Sequence, residues 1–219
     1  MNRSADVTAI VLAGGDAVDG SLRATLPAAD IVIAADSGLE QADRLGLRVD
    51  VVVGDFDSVD PEALAAAQRG GAQIERHPAA KDHTDLELAL LVAQRQGATS
   101  VIVVGGWGGR IDHGLANLLL LGSPEFASMR VEAIGAGGRV LAIHDKVELD
   151  GHEGDLVTLL AVGGDAHGVT TEGLRYPLRR ETLHPGSTRG VSNEMLGSRS
   201  CVEVEQGVLL AIMPTTEVA

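Results

Sequence analysis

Cysteine is nearly absent from this chain: Cys201 is the only one in 219 residues. No intrachain disulfide can form, which removes the disulfide-stapled secreted scaffolds and fits a reducing cytoplasm. Cys201 lies in a strand-like run and reads as a small core residue rather than a nucleophile. Aromatics are almost as scarce, with two Phe, one Tyr and one Trp. The core must therefore be built from Val, Leu, Ile and Ala, and a hydrophobic content of 45% supplies enough of them. Long apolar runs are missing too. The first run, Val7 to Ala13, is far short of a membrane span and lacks the flanks of a secretion signal. Basic residues are in the minority, 17 Lys and Arg against 31 Asp and Glu, for a formal charge of −14. So acidic a chain is ill-suited to non-specific binding of nucleic acid or anionic membrane. It suits a soluble cytoplasmic protein, and one that gathers divalent cations.

What is abundant is glycine, 28 residues clustered at the ends of apolar runs rather than in linkers. Val7–Leu12, Ile31–Ala35, Val49–Val53, Ser100–Val104 and Arg130–Ile134 are continuous apolar runs, and Gln73–His77 is a shorter one. Continuous rather than alternating runs are what a parallel sheet covered on both faces requires. Helix signals fall between them. Asp60-Pro61-Glu62 places a capping carboxylate before a proline at the first helical position. Thr84-Asp85-Leu86-Glu87 has capping-box spacing, and Leu86, Ala89, Leu90 and Ala93 then share one face. Leu115, Leu118 and Leu119 recur at helical spacing within Ile111–Leu121. From Arg139 the helical periods stop. Arg139–Ile143, Lys146–Leu149, Leu156–Ala161, Ala166–Thr171, Ser200–Val204 and Val208–Met213 read as short strands. The expected fold is α/β, with a parallel doubly wound (Rossmann-like) domain over residues 1–136 and a small antiparallel β-sandwich domain over 137–219.

In an open parallel sheet, ligands collect beyond the carboxyl ends of the strands. The segments there are Ala13-Gly14-Gly15-Asp16, Asp36-Ser37-Gly38, Gly54-Asp55-Phe56-Asp57-Ser58 and Gly105-Gly106-Trp107-Gly108-Gly109-Arg110. Asp55 and Asp57 are two residues apart, so in extended backbone they point the same way. Paired carboxylates repel unless a cation lies between them, and magnesium takes one or two carboxylates together with waters and substrate phosphates. Asp85 reads two ways, as a further ligand or as a first-turn acid that favours the helix dipole. The glycine run ending in Arg110 also reads two ways. It is an anion site, with Gly106 and Gly109 leaving the backbone bare and Arg110 offering a planar fork to phosphate, or it is a plain turn before a helix. Neither a P-loop nor a dinucleotide fingerprint is present. The histidines have no zinc spacing, and no Gly-x-Ser-x-Gly elbow occurs.

Taken in order, Asp36-Ser37-Gly38, Gly54-Asp55-Phe56-Asp57-Ser58, Asp82-His83-Thr84-Asp85-Leu86 and Gly109-Arg110-Ile111-Asp112-His113-Gly114-Leu115-Ala116-Asn117 resemble the thiamine pyrophosphokinase (thiamine diphosphokinase) family. Thr171–Leu178 and Thr188–Glu194 resemble that family's thiamine-binding β-domain, so the likeness runs from about Ile10 to Met213. The resemblance implies an ATP-dependent transfer of pyrophosphate to thiamine, giving thiamine diphosphate and AMP. It implies a magnesium ion on Asp55, Asp57 and Asp85, with Asp36 as a further candidate ligand, and nucleotide phosphates held by Arg110, Asp112, Gly106 and Gly109. Asp57, Asp85, Arg110 and Asp112 would form the catalytic centre. Asp36, Thr84, Ser192 and Asn193 would lie at the substrates, the last two at thiamine. It also implies a homodimer whose sites lie between the catalytic domain of one subunit and the β-domain of the other. Two departures stand out. Many relatives have Asp-Gly-Gly where this chain has Asp36-Ser37-Gly38, and Tyr176 is the lone aromatic of the second domain. Three rivals are weighed: transfer to another alcohol such as a hydroxymethyl pterin, a non-catalytic sensor, and a nicotinamide-dependent oxidoreductase. The Ser192-Asn193 segment argues against the first, the full set Asp55, Asp57, Asp85 and Arg110 against the second, and the missing fingerprint against the third.

Overall fold

The computed structural model describes residues 6–80 and 82–215. Contacts divide the chain into two compact units. One runs to Leu120 and takes in Ser128–Ala136, and the other comprises Leu121–Ala127 and the chain from Gly137 onward.

The first unit is a six-stranded sheet with helical crossovers. Its strands are β1 (Thr8–Leu12), β2 (Ile31–Ala35), β3 (Val51–Gly54), β4 (Gln73–Arg76), β5 (Ser100–Val104) and β6 (Arg130–Gly135). Every pairing within it is parallel, in the order β4-β3-β2-β1-β5-β6. The chain winds outward from β1 to β4, then returns to the other side of β1 as β5. The switch point therefore lies between β1 and β5, and ligands of such sheets collect at the carboxyl edge around it. Such a sheet buries its strands on both faces, which is why they are continuous Val, Ile and Ala runs. Ile10, Leu12, Ala34, Val52 and Val104 are all inside.

The crossover helices are α1 (Leu39–Leu45), α2 (Pro61–Arg69), α3 (Asp85–Arg95) and α4 (Ile111–Leu121). Their ends obey local chemistry. The Asp60 carboxylate accepts the Glu62 N–H at 3.0 Å, and Pro61 opens α2. The Thr84 hydroxyl accepts the Glu87 N–H at 3.2 Å to start α3. Gly46 closes α1 in the left-handed conformation. Leu86, Ala89, Leu90 and Ala93 are all buried along α3, as their spacing requires. Helix α4 differs. Its Ile111, Leu115 and Leu119, one helical turn apart, are solvent-exposed.

The second unit contains β7 (Gly138–Ile143), β8 (Lys146–Asp150), β9 (Leu156–Glu172), β10 (Glu181–Leu183), β11 (Asn193–Glu194), β12 (Arg199–Glu203) and β13 (Gln206–Pro214), all antiparallel. Strand β9 corrects the expectation of two strands over Leu156–Ala161 and Ala166–Thr171. It is one strand of 17 residues. Gly163-Gly164-Asp165 reads as a turn in sequence. In the fold it is a bend, where the register with β13 shifts between Val208 and Gln206. Before the bend β9 pairs with β13 over Thr158–Val162; after it β13 meets β9 only at His167, and β10 and then β12 take over as its partners. One strand thus serves both layers, and Leu141, Leu149, Val157, Leu159, Val169, Val202 and Leu209 fill the core between them. No helix among the described residues is long and apolar enough to cross a membrane.

Candidate functional site

Two strand ends of the first unit converge on an acidic cluster. Asp36 follows β2, and Asp55 and Asp57 follow β3. Because β2 and β3 are parallel neighbours, with Ala35 beside Val53, their exits fall side by side. One carboxylate oxygen from each of Asp36, Asp55 and Asp57 lies within 4.8 Å of the others. Asp85, first residue of α3, sits next to this trio: a Cβ placed on Gly54 would come within 3.2 Å of its Oδ1 and 3.1 Å of the Asp36 Cβ. Gly54 thus lets two acids close in on the end of β3. Asp36 joins Asp55 and Asp57, while Asp85 flanks them.

The cluster is electrostatically unfavourable as it stands. Burial pushes the Asp36 carboxyl above its ordinary range, and the charges of Asp85, Asp55 and Asp57 push it further, while a hydrogen bond from the Ser37 backbone opposes them. The donors are all hard carboxylate oxygens, with no imidazole or thiol among them. That donor set fits a small divalent cation such as magnesium, and Asp36, Asp55 and Asp57 are the residues that would hold it.

The loop carrying these acids has an unusual backbone. Asp36 has φ 44° and Phe56 has φ 63°, both in the left-handed region that side chains disfavour. The Phe56 N–H donates to Asp36 Oδ1 at 3.1 Å. The Asp57 N–H donates to Asp55 Oδ1 at 3.1 Å, and the Ser58 hydroxyl to Asp57 Oδ1 at 2.8 Å. Arg76, the last residue of β4, donates from Nη1 to the Asp55 carbonyl at 2.8 Å, and its guanidinium lies 4.7 Å over the Phe56 ring. The sequence reading passed over Arg76 and Phe56. Arg76 was detectable in principle, since it occupies the end of a parallel strand like the other site residues.

Beyond β5 the glycine loop is tied to the loop after β1. The Gly106 N–H donates to the Gly14 carbonyl at 2.7 Å, and the Asp16 N–H to the Trp107 carbonyl at 3.0 Å. Gly105 donates to Ile134 at 2.9 Å. The amides of Gly105 and Gly106 are therefore engaged inside the protein. Gly106, at φ 91°, serves the path of the chain rather than donating to an anion. Asn117 of α4 pins the same loop, donating from Nδ2 to the Gly106 carbonyl at 2.6 Å. Gln41, buried in α1, bridges the β1 loop: its Oε1 accepts the Val18 N–H at 3.3 Å and its Nε2 donates to the Asp16 carbonyl at 3.1 Å.

At the loop's far end Gly109 has open space around it, and Arg110 forms a two-pronged pair with Asp112, Nε to Oδ1 at 3.2 Å and Nη2 to Oδ2 at 2.6 Å. The Arg110 guanidinium holds the Asp112 carboxyl down at about 2, and Asp112 in turn raises Arg110. Both groups are largely in water, so the pair orients the guanidinium rather than stabilising the fold. Arg110 stands beyond β5, three strand positions from the acids beyond β3, a span of about 14 Å at ordinary strand spacing.

In the second unit, Ser192 has φ 55°, and its N–H donates to the Thr158 hydroxyl at 3.0 Å. Asn193 is buried. Its Oδ1 accepts the N–H groups of Tyr176 and Glu194, each at 2.9 Å, and its Nδ2 donates to the Tyr176 carbonyl at 2.8 Å. Two of these bonds clamp the Tyr176 backbone and the third is to the neighbouring Glu194, so three of the four hydrogen bonds an amide can make are satisfied within the protein. Tyr176 itself is exposed.

Comparison with known proteins places the chain in a family. Residues 22–133 match the family model described as thiamin pyrophosphokinase, catalytic domain. Residues 143–209 match the one described as thiamin pyrophosphokinase, vitamin B1 binding domain. The chain is 28% identical over 165 residues to thiamine pyrophosphokinase from Bacillus subtilis, covering 74% of this chain and 77% of that protein. The crystal structure of thiamine pyrophosphokinase from Bacillus subtilis superposes with a TM-score of 0.82 at 25% identity, covering 96% of this chain and all of that one. That of thiamin pyrophosphokinase from Geobacillus thermodenitrificans gives 0.79 at 25% identity, with 97% and 99% covered. With the catalytic model alone spanning more than half of its length, the chain belongs to the thiamin pyrophosphokinase family.

Proposed function

We propose that this chain is a thiamine diphosphokinase, moving the pyrophosphoryl group of ATP to the hydroxyl of thiamine and releasing AMP. The observation that carries the reading is the trio Asp36, Asp55 and Asp57, all oxygen donors within 4.8 Å at the carboxyl edge of a parallel sheet. In a reaction whose donor is a polyphosphate, such a group is suited to magnesium. When bound, the ion would neutralise charge on phosphate oxygens. Arg110, oriented by Asp112, would meet phosphate charge from beyond β5 on the same sheet edge. In the step, the thiamine hydroxyl oxygen bonds to the β-phosphorus and gives up its proton to solvent, the bond from that phosphorus to its α-bridging oxygen breaks, and AMP leaves with that oxygen. The residues contribute placement and charge rather than covalent chemistry.

In this reading residues 1–136 form the ATP- and magnesium-binding domain and 137–219 the thiamine-binding domain. Ser192 and the exposed Tyr176 are the candidate thiamine contacts, and Asn193 supports them by holding the Tyr176 segment. Thr84 would act near the substrate while its oxygen caps α3. The protein would work in the cytoplasm as a homodimer. The exposed stripe of Ile111, Leu115 and Leu119 supports assembly, since apolar rows in water mark contact surfaces.

The test is incubation with ATP, magnesium and thiamine, followed by product analysis. AMP and thiamine diphosphate should appear in equal amounts and only when thiamine is present. Asp57→Asn should reduce turnover by about 100-fold or more. Formation of ADP, or AMP without thiamine dependence, refutes the function. Near-normal turnover of Asp57→Asn at saturating magnesium refutes the metal assignment.

A further inference from the structure

We propose that Arg76 is a positioning residue that holds the Asp55–Asp57 loop in the conformation that receives the metal. The inference rests on reading that loop as the metal site. The loop needs holding for two reasons. Phe56 adopts φ 63°, a region in which a bulky side chain is rarely stable, and no glycine stands there to relieve it. The acids on either side of Phe56 also repel Asp36 across the cluster, since one carboxylate oxygen of each lies within 4.8 Å of the others. In the absence of a cation both effects favour opening of the loop.

Arg76 opposes them from outside. It stands in register with Gly54 at the end of β4, so its backbone is anchored in the sheet one strand away. Its Nη1 donates to the Asp55 carbonyl at 2.8 Å, fixing the residue before Phe56. Its guanidinium covers the Phe56 ring at 4.7 Å, while the rest of that ring packs against the core of the first unit. On the inner side, the Phe56 N–H is held by Asp36 Oδ1. Phe56 is thus clamped between a core, a carboxylate and a cation. Lysine could supply the charge and one donor. It lacks the planar face that lies on the ring while an edge N–H reaches the carbonyl.

The experiment compares wild type, Arg76→Met, Arg76→Lys and Asp57→Asn as full-length proteins. Manganese titration followed by electron paramagnetic resonance reads metal affinity without nucleotide. Hydrogen exchange of the segment 54–58 in metal-free protein reads the loop directly. Arg76→Met should weaken manganese binding by about three- to tenfold and speed exchange at Phe56, with other segments unchanged. Its turnover should return toward wild type at high magnesium, with KM for thiamine unaltered. Arg76→Lys should fall between. The sign is informative, because removing a neighbouring positive charge would by itself tighten cation binding. Unchanged or tighter manganese binding in Arg76→Met, with a raised KM for ATP, overturns the proposal and makes Arg76 a substrate ligand. A wild type that binds no manganese, or an Asp57→Asn that binds it normally, overturns the metal-site reading and this proposal with it. Normal metal binding by wild type alone, lost in Asp57→Asn and unaffected by Arg76→Met, overturns only the role of Arg76.

Discussion

Replacing Asp36 by Asn should stabilise the metal-free protein and weaken its response to magnesium, two effects of opposite sign from one atom change. Asp36 is buried, with only 8% of its surface exposed, and carboxylate oxygens of Asp55 and Asp57 lie within 4.8 Å. Two like charges at that distance repel by about 0.9 kcal/mol in a water-like dielectric and about 3.5 kcal/mol at an effective constant of 20. Asp55 is half-buried and Asp57 exposed, so the low end applies, a relief of about 1 kcal/mol after screening. Asparagine keeps an Oδ1 to accept the Phe56 N–H, and its amide N–H groups can turn toward the remaining acids. The midpoint of thermal unfolding in EDTA should rise by about 2–4 °C. The pH dependence follows from the direction of the shift. A carboxyl raised in the folded state binds its proton more tightly there than in the unfolded chain, so stability falls as pH rises from the ordinary value of 3.8 through the raised one. That fall should be present in the metal-free wild type and diminished in Asp36→Asn. Magnesium should raise the wild-type midpoint through binding to the folded state alone, and raise that of Asp36→Asn much less. A variant that melts below wild type in EDTA at neutral pH, or keeps the full magnesium shift, refutes the picture of a repulsive, cation-seeking cluster.

Two further outcomes follow from the glycine loop. A Cβ on Gly135 would come within 2.6 Å of the Trp107 ring carbons, so Gly135→Ala should displace the indole and destabilise by about 1–3 kcal/mol. Trp107 is the sole tryptophan, so its emission spectrum reports the displacement directly, and an unshifted spectrum refutes the contact. Arg110→Ala should leave the unfolding midpoint in place, because the Arg110–Asp112 pair is in water, while kcat/KM falls by about 100-fold. A lowered midpoint with preserved activity would make the pair structural instead.

Much of the site was legible because it depends on local chemistry. Asp55 and Asp57 stand two apart after an apolar run, and a capping residue precedes Asp85. Asp36 was harder to place in the metal group, since its approach depends on β2 lying beside β3. The family resemblance implies a thiamine contact at Asn193; the fold buries its amide against the Tyr176 backbone, a partner that no local pattern in the sequence indicates. Gly106 suggested a bare amide, but the loop after β1 accepts its N–H. The bend in β9 resembled a turn because a glycine pair signals both, and only the pairing on either side of it distinguishes them.

The residues by themselves determined the α/β pattern, the helix starts and the chemistry available at each strand end, since periodicity, capping and side-chain type act over a few positions. Strand order and register act across the whole chain. They decided that Asp36 faces Asp55 and Asp57, that Phe56 takes a left-handed backbone, and that Arg76 reaches it from a neighbouring strand. An acidic pair in the sequence thus became a clamped three-carboxylate cluster, because nonlocal pairing set the distances between charges.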